Sequence, residues 1–204
     1  MRAFSLLRYS TNAREVRLFL RKSRAGPSCS GEHLQEKSSS SRAQGGLPLR
    51  IGVISDTHGM LRPGALDALR GADHIFHAGD VGDPAILDAL RALAPLTAIR
   101  GNIDERGACS HLPPTEVVEL AGRSFYLLHD VHALDLDPAA AGFAGVISGH
   151  SHKPRIDWHK GVLYFNPGSA GPRRFSLPIS IGLLTVYADR MEPQLLDLRT
   201  EDVP

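Results

Sequence analysis

"LRIGVISDTHGMLRPGALDALRGADHIFHAGD", residues 49–80, decides the fold. It opens on a short apolar, β-branched run, Leu49 to Ser55, followed by turn chemistry, the pattern of a buried strand. "RPGALDALRG" (62–71) reads as a helix, with Pro63 near its start and Gly71 as a stop. "HIFHA" (74–78) is a second strand. Working outward, "DPAILDALRAL" (83–93) is a second helix, with Asp83 at the N-cap and Pro84 at the first helical position. "LTAIR" (96–100) is a third strand. Strand–helix–strand–helix–strand predicts a parallel sheet with helical crossovers.

After residue 110 the texture changes. "TEVVEL", "RSFYLLH", "GVISG", "PRIDWH", "VLYFN", "ISIGLLTVYA" and "PQLLDLR" read as strands with short connections, and "HKGV" as a tight hairpin turn. Only "DPAAAGF" (137–143) has weak helical character. The expected fold class is therefore α/β, two packed sheets with helices outside.

Residues 1–50 hold 10 Lys and Arg against 3 Asp and Glu, whereas the remainder holds 13 against 19. The first part is Arg-rich, Ser-rich and acid-poor, and ends in the low-complexity "KSSSSRAQGG". Residues 1–47 are read as a basic extension, either unstructured, a mitochondrial transit peptide or an upstream start, and residues 48–204 as the globular domain. The composition, 42% apolar and 22% charged, is ordinary for a globular chain. No apolar run approaches the length of a membrane span. Cys29 and Cys109 form no CxxC pair, which fits a reducing compartment. A cytoplasmic location is expected, with a mitochondrial one as the alternative.

In open α/β sheets ligands bind beyond the carboxyl ends of the strands. The residues there are Ser55-Asp56-Thr57-His58, His77-Ala78-Gly79-Asp80, Arg100-Gly101-Asn102, His129, and Gly149-His150-Ser151-His152. All five ends carry a metal-capable side chain. Asp56 and His58, and again His150 and His152, are two apart; in extended chain both members of a pair face the same way. Burying Asp56 and Asp80 unpaired would be costly, and a cation relieves that cost. The set is two carboxylates, one amide and four imidazoles, with no thiolate, which suits first-row ions rather than a dedicated Ca²⁺ cage. Seven ligands are too many for one such ion with open positions, and fit two ions sharing a bridging carboxylate.

These motifs resemble those of the calcineurin-like metallophosphoesterases: D-T-H (56–58), G-D-V-G-D (79–83), G-N-I-D (101–104), L-H-D (128–130) and G-H-S-H (149–152). "NPGSAGPRR" (166–174) is similar to a later loop of the small bacterial YfcE-like branch. The resemblance implies a four-layer α/β/β/α sandwich with two mixed β-sheets and a dinuclear centre. Asp56, His58 and His152 would hold one metal, Asn102, His129 and His150 the other, and Asp80 would bridge, with Asn102 and His129 also taking catalytic parts. Mn²⁺ is the expected ion, with Ni²⁺, Fe²⁺ or Zn²⁺ as alternatives. His77, Asp83, Asp104 and His132 are candidates for orienting the ligands, and Arg173 and Arg174 for binding substrate.

The implied reaction is hydrolysis of phosphodiesters, with phosphomonoesters as the alternative, by a metal-activated hydroxide attacking phosphorus in line. Many larger relatives carry a His directly after the Asn of the third motif, often taken as the general acid. Here that place is Ile103, which transfers no proton. Leaving-group protonation then falls to His132, to a metal-bound water, or to no acid, so esters with good leaving groups are the expected substrates. The runner-up is a non-catalytic scaffold like the small retromer subunit, which has lost part of the metal set; here all seven positions are filled. Nucleic-acid processing ranks third, because the globular part is net acidic with scattered basic residues. A small phosphoester is the expected partner, and homo-oligomerisation stays open.

Overall fold

The computed structural model describes residues 47–174 and 176–198. The expectations for the basic extension fall outside them. Ten strands and two α-helices follow in chain order: β1 (Leu49–Ile54), α1 (Pro63–Leu69), β2 (His74–Ala78), α2 (Pro84–Arg91), β3 (Leu96–Ile99), β4 (Thr115–Leu120), β5 (Arg123–Leu128), β6 (Gly145–Ile147), β7 (Arg155–His159), β8 (Val162–Asn166), β9 (Ser180–Val186) and β10 (Met191–Asp197). Short 3₁₀ turns follow β3 (Asn102–Asp104) and β5 (Val131–Ala133).

The strands form two five-stranded mixed sheets, ordered β10-β9-β1-β2-β3 and β4-β5-β6-β8-β7. β1, β2 and β3 run parallel, as do β5, β6 and β8. The antiparallel β9 and β10 extend the first sheet, while β4 and β7 edge the second. Pro193 lies in β10, where an edge position spares the missing N–H. The carboxyl ends of β1, β2, β3, β5 and β6 carry the motif residues, and the parallel directions account for their convergence.

Side-chain alternation sorts the core. Ile51 and Val53 of β1, Phe76 of β2, Phe125 and Leu127 of β5, and Leu163 and Phe165 of β8 pack between the sheets. The opposite face of the first sheet, with Ile54, Ile75 and Ile181, packs on Leu69 of α1 and Leu87 and Leu90 of α2. The outer face of the second sheet carries Leu128, Val146 and Val162, with Tyr126 and Tyr164 beside them. Its cover is thin: Leu134 and Ala139, from the 3₁₀ turn and the "DPAAAGF" segment. That segment closes a single turn rather than a helix: Asp137 caps it through the N–H groups of Ala139 and Ala140, and Gly142, at φ 78°, ends it at once. The four-layer sandwich is therefore helical on one side and loop-built on the other, among the described residues. No helix there is long and apolar enough to cross a membrane.

Candidate metal centre

The ends of β1, β2 and β6 turn sharply to present their polar side chains. Among the described residues, seven other than glycine adopt positive φ, and five are motif residues: Asp56 (54°), His58 (47°), Asp80 (57°), His150 (66°) and His152 (56°). The left-handed region costs roughly 1–2 kcal/mol for a residue with a Cβ. Such strain concentrates at functional sites. This corrects the extended-chain reading of the two D-x-H-like pairs. β1 ends at Ile54 and β6 at Ile147, so a left-handed turn, not the pleat, brings each pair together.

Asp56 is fully buried. Its Oδ2 takes the Ser55 hydroxyl and the His150 N–H (3.1 Å). Its Oδ1 has no hydrogen-bond partner and faces His152 Nε2 at 3.2 Å and His58 Nε2 at 3.9 Å. Those two ring nitrogens lie 3.2 Å apart. Asp80 sits between two histidines: Oδ2 is 3.6 Å from His58 Nε2 and Oδ1 is 3.4 Å from His129 Nε2. On the far side, Asn102 Oδ1 meets His129 Nε2 at 3.2 Å and His150 Nδ1 at 3.1 Å. The structure thus gathers all seven predicted residues, with Asp80 between two groups of three.

The donor set fits divalent cations. An orphaned carboxylate oxygen and converging imidazole nitrogens are costly without one. The His129 tautomer also suits a ligand. Its Nδ1 lies 2.8 Å from the Ala78 carbonyl and donates to it, leaving the Nε2 lone pair facing Asp80. Asp56, His58 and His152 hold ligand atoms within 4.8 Å of one another, as do Asp56, Asp80 and His129. Protonation follows the contacts. Burial lowers the His58 pKa, outweighing the two carboxylates. Burial also acts to lower His129, but the Asp80 hydrogen bond and the Ala78 carbonyl leave it raised. Burial would raise Asp80, yet the His129 hydrogen bond and the Ile103 N–H hold it low.

Two glycines make the approach possible. A Cβ on Gly101 would stand 2.1 Å from Asp80 Oδ1, and one on Gly79 would stand 2.6 Å from His129 Nδ1. Gly101 has an ordinary negative φ, so closeness rather than turn conformation requires it.

The orienting candidates separate. Asp104 is buried and accepts N–H bonds from Val81, Gly82 and Gly101 at 2.9–3.0 Å, pinning the second motif to the third. His77 is fully buried and bonds Thr57 Oγ1 through Nε2 (3.0 Å). The Thr57 hydroxyl donates to the Val81 carbonyl (2.9 Å), so His77 Nε2 carries the proton and supports the D-T-H turn from below. Burial lowers the His77 pKa to about 4. Asp83 instead caps α2, accepting the Ala85 N–H. Exposed His132 makes no side-chain hydrogen bond or ion pair with the seven. Arg174 reaches His58 Nε2 at 3.5 Å, whereas Arg173 is exposed without such a contact. Asp130 places Oδ2 3.9 Å from His150 Nε2 and caps the following 3₁₀ turn. Sequence reasoning missed Ser55 and Thr57. The signal was present: hydroxyl residues flank a buried Asp on both sides.

The sequence profile of the calcineurin-like phosphoesterase superfamily domain matches residues 49–189. A probable metallophosphoesterase of Methanocaldococcus jannaschii is 36% identical over 166 residues, covering 75% of this chain and 83% of that protein. Among solved structures, vacuolar protein sorting 29 of Cryptosporidium parvum superposes with a TM-score of 0.64 at 18% identity, covering 74% of this chain and 92% of that one. An archaeal phosphodiesterase gives 0.59 at 22% identity, covering 72% and 100%. Both are similar in fold.

Proposed function

This chain belongs to the calcineurin-like phosphoesterase superfamily, and from that premise we propose that it hydrolyses phosphodiesters at a dinuclear metal centre. The observation that carries the reading is Asp80, whose two oxygens face two different histidine groups. Asp56, His58 and His152 would hold one cation, Asn102, His129 and His150 the other, and Asp80 both. Mn²⁺ is the ion we favour, on the mixed nitrogen and oxygen donors. Bound cations supply Lewis acidity toward water and toward phosphoryl oxygens.

The chain's own residues set the rest of the chemistry. The Ile103 N–H holds Asp80 Oδ1 in place at 3.1 Å. The His129–Ala78 bond fixes which ring nitrogen faces the substrate side. Arg174, beside His58, is placed to neutralise charge developing on a phosphoryl oxygen. The Ile103 side chain is 43% exposed at the rim, where it offers bulk but no proton. Departure of an alcohol therefore lacks a positioned acid, worth on the order of 10²–10⁴-fold with a poor leaving group. Aryl diesters should outrun alkyl diesters.

The test is a panel of aryl and alkyl phosphodiesters and monoesters assayed with Mn²⁺, Mg²⁺, Ni²⁺ and Zn²⁺. Hydrolysis of bis(p-nitrophenyl) phosphate, lost on chelation, is expected. Equal aryl and alkyl rates would refute the missing-acid argument. Purified protein free of metal and inert with all four ions would favour a non-catalytic scaffold.

A further inference from the structure

A cavity of about 660 Å³ opens on the outer face of the second sheet, where the cover is thinnest. Its two walls continue two metal-ligand loops. One wall is the turn after His129, with Val131, His132 and Leu134; the other runs through Ser151 and Lys153, interleaved with His150 and His152. The floor is Tyr164 with Ser148. The volume lies within the range of small-ligand pockets.

The lining has a definite chemical bias. Lys153, Arg155, His132 and His159 line it against one carboxylate, Asp157, which Arg155 already engages. That leaves the Lys153 ammonium as uncompensated charge among the lining side chains. The Ser151 hydroxyl oxygen accepts from Lys153 N (3.3 Å) and Asn166 Nδ2 (3.2 Å), so its own proton points to a further acceptor. Ser148 is 5% exposed and its hydroxyl has no hydrogen bond among the described residues. Tyr164 makes the floor aromatic, with Val131 and Leu134 beside it. Cation, hydroxyl donors and ring together suit an anionic group attached to a flat ring.

We propose that this cavity takes the ester substituent of the substrate, and that the substituent is a ring-bearing organic group carrying its own negative charge. The inference rests on the phosphodiesterase reading. Binding energy from such a remote group would secure substrates against which Ile103 offers no acid.

The cavity is tested apart from catalysis, by titrating the metal-free full-length protein with adenosine monophosphate, adenosine and inorganic phosphate. Saturable binding of adenosine monophosphate is expected, at least about tenfold tighter than either fragment. Lys153→Glu, an exposed position, should weaken it about tenfold or more, and Tyr164→Leu should weaken adenosine monophosphate and adenosine alike. Both variants should keep the wild-type circular dichroism spectrum, which shows them folded. No saturable binding, or binding unchanged in Lys153→Glu, would overturn the proposal. Turnover of bis(p-nitrophenyl) phosphate is measured in parallel. Its absence in wild type would overturn the phosphodiesterase reading, and the titration would still judge the cavity.

Discussion

The two halves of the candidate centre differ in shelter. Asp56, His58 and His152 lie at the bottom, with side chains 0%, 11% and 7% exposed. Across Asp80, His129 is buried, but Asn102 is exposed and the His150 side chain is 46% exposed. The sheltered half also contains the orphaned Asp56 oxygen, whereas the Asn102 amide oxygen already meets two ring nitrogens. A buried charge gains most from a cation. The sheltered half should therefore hold its ion tightly, and the open half should exchange it and meet the substrate.

Asp80 tests whether the halves form one centre. Asp80→Ala should lower phosphodiesterase kcat by roughly 10³-fold or more, since several kcal/mol of charge stabilisation go with the cations. Bound metal, by elemental analysis, should fall in both halves, and near-wild-type turnover would remove Asp80 from its bridging place. Asn102→Ala sharpens the contrast. It should cost one of two ions by elemental analysis, while His152→Ala should cost the other. Equal loss of both ions in Asn102→Ala would mean the halves are not independent.

Substitution at the open rim comes next. Ile103→His should raise alkyl diester turnover about tenfold relative to aryl turnover, within the range of general acid catalysis. An unchanged alkyl-to-aryl ratio would show that proton donation at this place does not limit the rate.

The smallest effect at neutral pH concerns the support beneath the sheltered half. His77 has a folded pKa of about 4, below the unfolded value of about 6.5. Its contribution to stability is complete above pH 6.5 and is lost as pH falls toward 4, in total on the order of 3 kcal/mol. In the metal-free protein, melting of wild type and His77→Gln should diverge over that window, with the variant less sensitive to acid. Parallel melting curves would show that His77 is not the group responsible.

The residues of both halves were legible in the sequence, but their backbone was not. All seven residues could be read from the strand ends, because parallel strands must deliver their carboxyl ends to one edge. What periodicity cannot carry is conformation after the strand stops. The left-handed turns at Asp56, His58, His150 and His152 leave only a weak compositional trace, since Asp and His favour that region far less than glycine does. Asp83 lies in the second motif, yet its local sequence, Asp-Pro before an apolar run, already specified a cap. Asp104 and Thr57 act through backbone groups of other loops, 20 or more residues away, and such partners are invisible until the chain is folded. The outer layer is loop-built because Gly142 stops "DPAAAGF" after one turn, too early for a helix to cover the sheet.

The left-handed backbone at five of the seven candidate ligands has a consequence for ion choice. Residues already bent into an uncommon conformation, and locked there by Asp104, Thr57 and the tight approach of Gly101, have little room to breathe with a larger or smaller guest. Such a cage would work as a gauge. It should discriminate among cations by radius and preferred geometry more sharply than a flexible loop does, and it should do so before any substrate arrives.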